Sequence, residues 1–322
     1  MDPIQRFLLR IPPVRATIRL SKRISLPGFE GLPVYDVVVF FLQQMRQVGI
    51  NERAGAISFN FLMAVPPLGI FIFTLLSHLP ESKQLYTQAL VLVRQVTPDQ
   101  STYQLIKSVM DDFFASSKSL LSFGLILAVY FSSNAMLTIM RTFNRSMLHI
   151  ETEPRSFLQL RWVAIRLTVY IVVLILATTF LMVTQGKLMR IITAWLDVRE
   201  TMMDWMLQVV RILLTFLLVF TSIALIYRYA PSVQKKWRFF SPGVLLATVL
   251  IIGFSMLFSL WVNNIASYNR IYGSIGSILI LMLLIYVNSL VLLIGFELNV
   301  SINSLKGMAD RRRFKESGAF PE

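Results

Sequence analysis

From residue 54 onward, long apolar runs alternate with short polar segments. The runs lie at about 54–76, 120–140, 162–183, 208–227, 242–262 and 275–298. A helix rises about 1.5 Å per residue, so each run is long enough to cross a hydrocarbon layer of about 30 Å. The pattern predicts an all-α, polytopic membrane protein with six transmembrane helices. An even number of spans places both termini on one side.

The chain before residue 54 reads differently. Residues 1–33 are basic and broken by Pro12, Pro13, Pro27 and Pro33, which predicts an arm of low order. Between 34 and 48, Val34, Val37, Val38, Phe41, Met45 and Val48 recur at helical spacing, with Gln43, Gln44 and Arg46 among them. That run is too short to span. It predicts an N-terminal interfacial amphipathic helix, with a helix packed inside the bundle as the alternative. The segment 77–119 carries two helical patterns, 82–96 and 101–114, separated by Thr97-Pro98-Asp99. Their apolar faces (Leu85, Ala89, Leu92; Leu105, Val109, Phe113) predict a small external helical cap. The expected division is therefore a basic cytoplasmic arm with its interfacial helix (1–53), a six-helix membrane domain (54–300) and a basic cytoplasmic tail (301–322).

Composition agrees with lipid as the solvent. Hydrophobic residues make up 55% and charged residues 15% of 322 positions, more apolar surface than a soluble domain of this size would bury. The net charge of +14 does not call for nucleic acid. Most of the 31 Lys and Arg fall in the segments assigned to the cytoplasm, as topology alone demands. Two clusters flank the last two spans: Arg228, Lys235, Lys236 and Arg238 before them, and Lys306, Arg311, Arg312, Arg313 and Lys315 after them. The partners expected are anionic membrane lipids, and an envelope protein beside them, with no nucleic acid. There is no cysteine, so neither a disulfide nor a thiolate metal site is expected. The first 33 residues lack an uninterrupted apolar core, which argues against a cleavable signal peptide.

Polar residues inside the runs mark the candidate site. In the first run Arg53, Ala56, Asn60, Ala64 and Pro67 share a stripe expected to face the bundle. Pro66-Pro67 should kink or break that helix, either shaping its packing or freeing carbonyls for a substrate. Ser132, Ser133 and Asn134 form a polar patch on the second run. Arg211 of the fourth lies near its outer boundary, to be read as snorkelling or as a buried functional group. Ser241-Pro242-Gly243 opens the fifth run with an N-cap, a proline at the first helical position and a small residue. The polar loop 263–277 follows. In it Tyr268 and Tyr272 are candidate headgroup anchors, and Gly273 with Ser277 has the spacing of a close helix crossing. The sixth run carries two stripes nearly opposite one another. Ser277, Leu281, Leu284, Asn288, Leu292, Gly295 and Asn299 form one; Tyr286, Leu290, Leu293 and Glu297 form the other. A helix polar on two sides is expected to be surrounded by protein. Glu297, about one turn from the expected end of that span, is read either as a structural ion-pair partner or as part of transport.

These residues resemble the YihY/BrkB inner-membrane family, the UPF0761 group formerly labelled ribonuclease BN. The resemblance rests on Tyr227 or Tyr229, Pro231, Trp237, Pro242-Gly243, Tyr268, Tyr272-Gly273-Ser274-Ile275-Gly276 and Gly295-Phe296-Glu297-Leu298-Asn299. Arg53 through Pro67 and Asn144-Arg145 add to it. It covers about 53–302, with Phe59, Ala64 and Leu284 departing from the usual Tyr, Ser and Trp. Such a resemblance implies a six-span bacterial inner-membrane protein, and the even span count with the Lys and Arg distribution places both termini in the cytoplasm. It implies a link to export or handling of envelope lipids or other anionic amphiphiles. A small-solute or ion permease, or a scaffold that transports nothing, are the alternatives. The ribonuclease label asks for clustered metal ligands. His78 and His149 are far apart, Asp111-Asp112 sit in the expected cap, and Gly273–Gly276 does not cradle a phosphate between strand and helix. An enzyme is therefore not expected, nor a metal or cofactor.

Overall fold

The computed structural model describes residues 19–47, 49–77, isolated positions between 83 and 94, 100–114, 118–147, 150, 152–196, 200–234, 236–264 and 268–316. Eight α-helices follow one another: α1 Val34–Gln47, α2 Ile50–Ser77, α3 Gln100–Phe114, α4 Lys118–Ser146, α5 Phe157–Leu196, α6 Glu200–Tyr229, α7 Pro242–Asn264 and α8 Tyr268–Glu316. Among the described residues no strand forms, and one isolated bridge joins Thr152 to Val233. Five of the helices hold segments long and apolar enough to cross a membrane: 123–146, 157–178, 205–229, 242–261 and 278–311. The sixth expected span, 54–76, falls in α2, whose side chains beyond Phe71 lie outside the described residues.

The long helices pack in succession, α2 on α4, α4 on α5, α5 on α6, α6 on α7 and α7 on α8, and α8 returns to α2. Helices rather than strands are required here, because a helix satisfies its own backbone in a solvent that offers no hydrogen bonds. The packed core lies at the end of the bundle where the Lys and Arg clusters are. Ile57, Met140, Phe143, Ala224, Tyr227, Val244, Leu293 and Phe296 are buried there. Away from it the helices turn apolar side chains outward: Val173 and Leu176 on α5, Leu213 and Leu217 on α6, Leu257 and Leu260 on α7. In water such a surface would aggregate; against acyl chains it is at home. The membrane-crossing segment of α5 is among the least buried of the five, and Arg211 is exposed rather than buried.

Four details differ from the sequence reading. The expected polar loop 263–277 is shorter, because α8 is already helical from Tyr268. Tyr268, Tyr272, Gly273 and Gly276 thus lie in its first turns, and their side chains are outside the described residues. Near lipid, extending the helix satisfies backbone groups that a loop would leave bare. At its other end α8 continues through residue 300 to Glu316, held by burial of Ser301, Ile302 and Ser304. The helix α2 is unbroken across Pro66 and Pro67. Its buried stripe is Ile50, Ala54, Ile57, Ala64 and Pro67, so Ala56 points outward while Arg53 and Asn60 flank the stripe.

The short helix α1 packs on α8, with Val37 and Gln44 buried and Val38 and Leu42 exposed. Beyond the membrane-crossing segments, Tyr86 donates a hydrogen bond to Asp111 of α3. Desolvation first, and the neighbouring carboxylate second, push its pKa up to about 12. The rest of the expected 82–96 helix falls largely outside the described residues.

Candidate functional site

Three arrangements meet at the packed end of the bundle. The first is a buried polar node. Glu297 of α8 has no exposed surface and accepts a hydrogen bond from Ser146 Oγ of α4. Arg53 of α2 places Nη1 3.5 Å from Glu297 Oε1 and 2.5 Å from Ser146 Oγ. Gln44 of α1 donates to the Ser146 carbonyl at 3.2 Å. Four helices are thereby tied through one serine. The sequence reading placed Glu297 about one turn from the end of its span; in the structure α8 runs well past it and burial is complete. Arg53 and Glu297 are thus brought together as the ion pair that was one of the two readings. Ser146 and Gln44 were missed as site residues. Gln44 was legible, because it falls in register with Val37 and Phe41 on the apolar stripe of α1.

Aromatic rings close the node from one side. Phe143 and Phe296 stack with centroids 3.6 Å apart, and Tyr227 meets both edge-on at 5.8 and 5.7 Å. Trp237 stacks on Phe296 at 5.1 Å. The Tyr227 hydroxyl donates to the Leu292 carbonyl at 2.5 Å, so burying this phenol leaves no polar atom stranded.

The second arrangement is the crossing of α7 and α8 at Gly243 and Gly295. A Cβ on Gly295 would lie 2.6 Å from Tyr227 Oη and 2.7 Å from Ala247 Cβ. One on Gly243 would collide with the Gly295 carbonyl and stand 2.6 Å from Asn299 Oδ1. Only hydrogen fits between these backbones. Asn299 uses the proximity: its Oδ1 accepts from Gly243 N at 2.9 Å and its Nδ2 donates to Ser241 Oγ at 2.8 Å. Ser241 caps α7 as expected, accepting from Val244 N at 3.4 Å, with Pro242 at the first helical position. The two-sided pattern of α8 is thus real along its inner half, where Gly295 and Asn299 face α7 and Glu297 faces α2 and α4. Further out, Ile278, Met282 and Leu283 are exposed, so that half is not surrounded by protein. The close crossing lies at Gly243 and Gly295; Gly273 and Ser277 remain outside the described side chains.

The connection from α6 to α7 is held from outside the spans. Arg155 donates to the carbonyls of Tyr229, Ala230 and Pro231 at 3.3, 3.2 and 3.0 Å, satisfying acceptors left open at the end of α6. Burial lowers its pKa from the ordinary arginine value, with Arg166 adding to the effect. Asn144 grips the same connection, accepting from Ser232 N and donating to Ser232 Oγ, both at 3.0 Å. Asn144 and Pro231 therefore serve the turn. Arg155→Ala is expected to cost about 2 kcal/mol of thermal stability in detergent, more than an exposed salt-bridge residue would. An unchanged melting profile would show that the three carbonyls are satisfied by water instead.

The third arrangement is a groove of about 490 Å³ that opens beside Asn299. Lys236 and Arg238 line it from the α6–α7 connection, Lys306 and Arg311 from α8, with Glu30 and Asp310 as its carboxylates. Phe240, 78% exposed, adds an apolar wall. A separate apolar groove of about 340 Å³ lies between Phe254, Leu257, Phe258 and Trp261 of α7 and Leu283, Leu284, Val287 and Asn288 of α8. Asn288 Oδ1 is buried beside it and accepts no hydrogen bond from the described residues. Asn60 turns its amide back to the Ala56 carbonyl at 2.9 Å and joins neither groove. Among the described residues no three His, Asp or Glu side chains gather as metal ligands; His78 and His149 lie outside them.

Comparison with known proteins places residues 41–319 under the family model described as virulence factor BrkB. Over 266 residues, 82% of this chain and 94% of the relative, it is 29% identical to a Bacillus subtilis protein named as a ribonuclease-like protein, YfkH. It is 26% identical over 294 residues, 90% of this chain and 67% of the relative, to a UPF0761 membrane protein of Chromobacterium violaceum. A UPF0761 membrane protein of Haemophilus influenzae is 22% identical over 83% of this chain and 95% of its own. No solved structure matches the chain.

Proposed function

This chain belongs to the virulence factor BrkB family of multi-pass membrane proteins, and on that premise we propose that it takes part in the export or handling of envelope lipids or other anionic amphiphiles. Its membrane is the bacterial inner membrane, with both termini and the basic end of the bundle in the cytoplasm. The observation that carries the reading is the groove at that end. Four cations stand against two carboxylates around a cavity large enough for a lipid headgroup, and Phe240 offers an apolar edge where acyl chains begin. Asn299 lines it with both amide atoms engaged, on Gly243 N and on the capping Ser241 Oγ, so the groove abuts the close crossing of α7 and α8. The ribonuclease-like name of one relative finds no support in an acid–base or metal-ligand cluster among the described residues.

The reading is tested by changing Lys236, Arg238 and Lys306 together to Gln. These side chains contribute charge rather than packing, so the variant should accumulate in membranes as the parent does. It should fail to restore a strain whose envelope integrity depends on this protein. It should also lose most of the anionic phospholipid that co-purifies with the parent, counted by lipid mass spectrometry. Full restoration with an unchanged lipid profile would remove the groove from the function.

A further inference from the structure

Residues 28–31 form a turn in which Gly28, Glu30 and Gly31 have φ of 89°, 54° and 81°. Two glycines adopt that region freely, whereas a glutamate there is disfavoured. The turn is nevertheless well anchored. Phe29 is buried with Val37 and Ile302, and a Cβ at Gly28 would lie 2.8 Å from Pro242 Cγ. Leu32 N also donates to the Phe29 carbonyl at 2.9 Å. The outcome of this anchoring is the position of one side chain. Glu30 reaches into the basic groove, with Oε2 2.6 Å from Lys306 Nζ and Oε1 3.7 Å from Arg238 Nη1. It bridges cations contributed by α8 and by the α6–α7 connection.

Resting on the reading of the groove given above, we propose that this is a site for the phosphate of an anionic lipid headgroup, and that Glu30 is its built-in counter-ion, displaced when the lipid binds. A carboxylate spanning two cations occupies the positions that two phosphate oxygens would take. A phosphomonoester brings more charge and a third oxygen to the same donors, so it competes favourably. Displacement asks little of the fold. Phe29 and Gly28 hold the backbone independently, and ion pairs this exposed (Arg238 side chain 78%, Lys306 43%) are weak in water. Until a ligand arrives, the carboxylate lowers the repulsion among the clustered cations. It also raises the threshold for weakly charged competitors. A zwitterionic headgroup, whose phosphate carries one charge beside a cation of its own, is thereby selected against.

Calorimetric titration of the full chain in detergent, at constant ionic strength, tests this with three probes: dihexanoyl phosphatidic acid, dihexanoyl phosphatidylcholine and inorganic phosphate. Glu30→Gln is expected to bind phosphatidic acid about fivefold more tightly than the parent, the worth of two exposed ion pairs. Glu30→Asp, which withdraws the carboxylate, should move in the same direction. Asp36→Asn, exposed on α1 outside the groove, should leave binding unchanged, and Lys306→Gln should weaken it. Equal or weaker binding by both Glu30 variants, with the parent still binding, would sink the counter-ion role and leave the groove standing. Absence of binding in parent and variants alike would sink both. Inorganic phosphate binding as tightly as phosphatidic acid would overturn the lipid source, and phosphatidylcholine doing so would overturn the selectivity.

Discussion

Gly295→Leu should leave this protein unable to close its last helical hairpin, with a loss of about 3 kcal/mol or more of stability in detergent. The first added atom already stands within 2.7 Å of Tyr227 Oη and Ala247 Cβ. None of these neighbours can give way cheaply. Tyr227 is tied to the Leu292 carbonyl at 2.5 Å, and α7 is tied to α8 by the Asn299 bond to Gly243 N. Moving the helices apart would break both and unstack Phe296 from Trp237. Gly253→Ala, on the partner helix α7, provides the comparison. Nothing lies within 4 Å of a Cβ there, so it should be neutral or stabilise by up to about 1 kcal/mol. Thermal melting in one detergent compares the two directly. A Gly295 variant that melts with the parent would mean that the crossing is looser than its geometry.

The second large effect concerns the ion pair. Arg53→Ala should cost about 3–5 kcal/mol, because it strands a carboxylate with no exposed surface at the meeting point of four helices. Glu297→Gln should cost less. Glutamine keeps the shape and still accepts from Ser146, while Arg53, with 15% of its side chain exposed, retains some access to solvent. Replacing both Arg53 and Glu297 by Met should recover much of the single loss, since two well-packed apolar residues avoid desolvation altogether. The measurement is a double-mutant cycle on detergent melting. Strictly additive losses would show that the two residues act separately. A Met–Met variant that is stable but fails to restore envelope integrity would assign the pair a role beyond holding the bundle.

Sequence pattern was a good guide wherever a single helix carried the information. Ser241-Pro242 opens α7 because capping and a fixed φ are local properties. The two polar stripes of α8 follow from a period of 3.6 residues. The stripe of α2 was rotated only slightly, with Ala54 and Ile57 rather than Ala56 facing in, since small residues occur on both sides of that helix. Gln44 was visible as a polar residue in an apolar register. By contrast Ser146 and Arg155 gave no local signal. A serine near a helix end and an arginine after a proline are ordinary, and their roles exist only because α4, α6 and α8 meet where they do.

By itself, then, the sequence determined the membrane as solvent and the helical class, because burial of apolar length depends on no contact between segments. It also marked Gly295, Glu297 and Asn299 as exceptional, since a lipid-facing helix has no use for them. The tertiary structure alone decided their partners. Gly243 meets Gly295 at the close approach of α7 to α8, Arg53 reaches Glu297 from more than two hundred residues away, and Glu30 closes on Lys306 and Arg238. Each of those pairings is set by helix packing and by a positive-φ turn seated on Pro242. Periodicity along one segment carries no record of which other segment lies beside it.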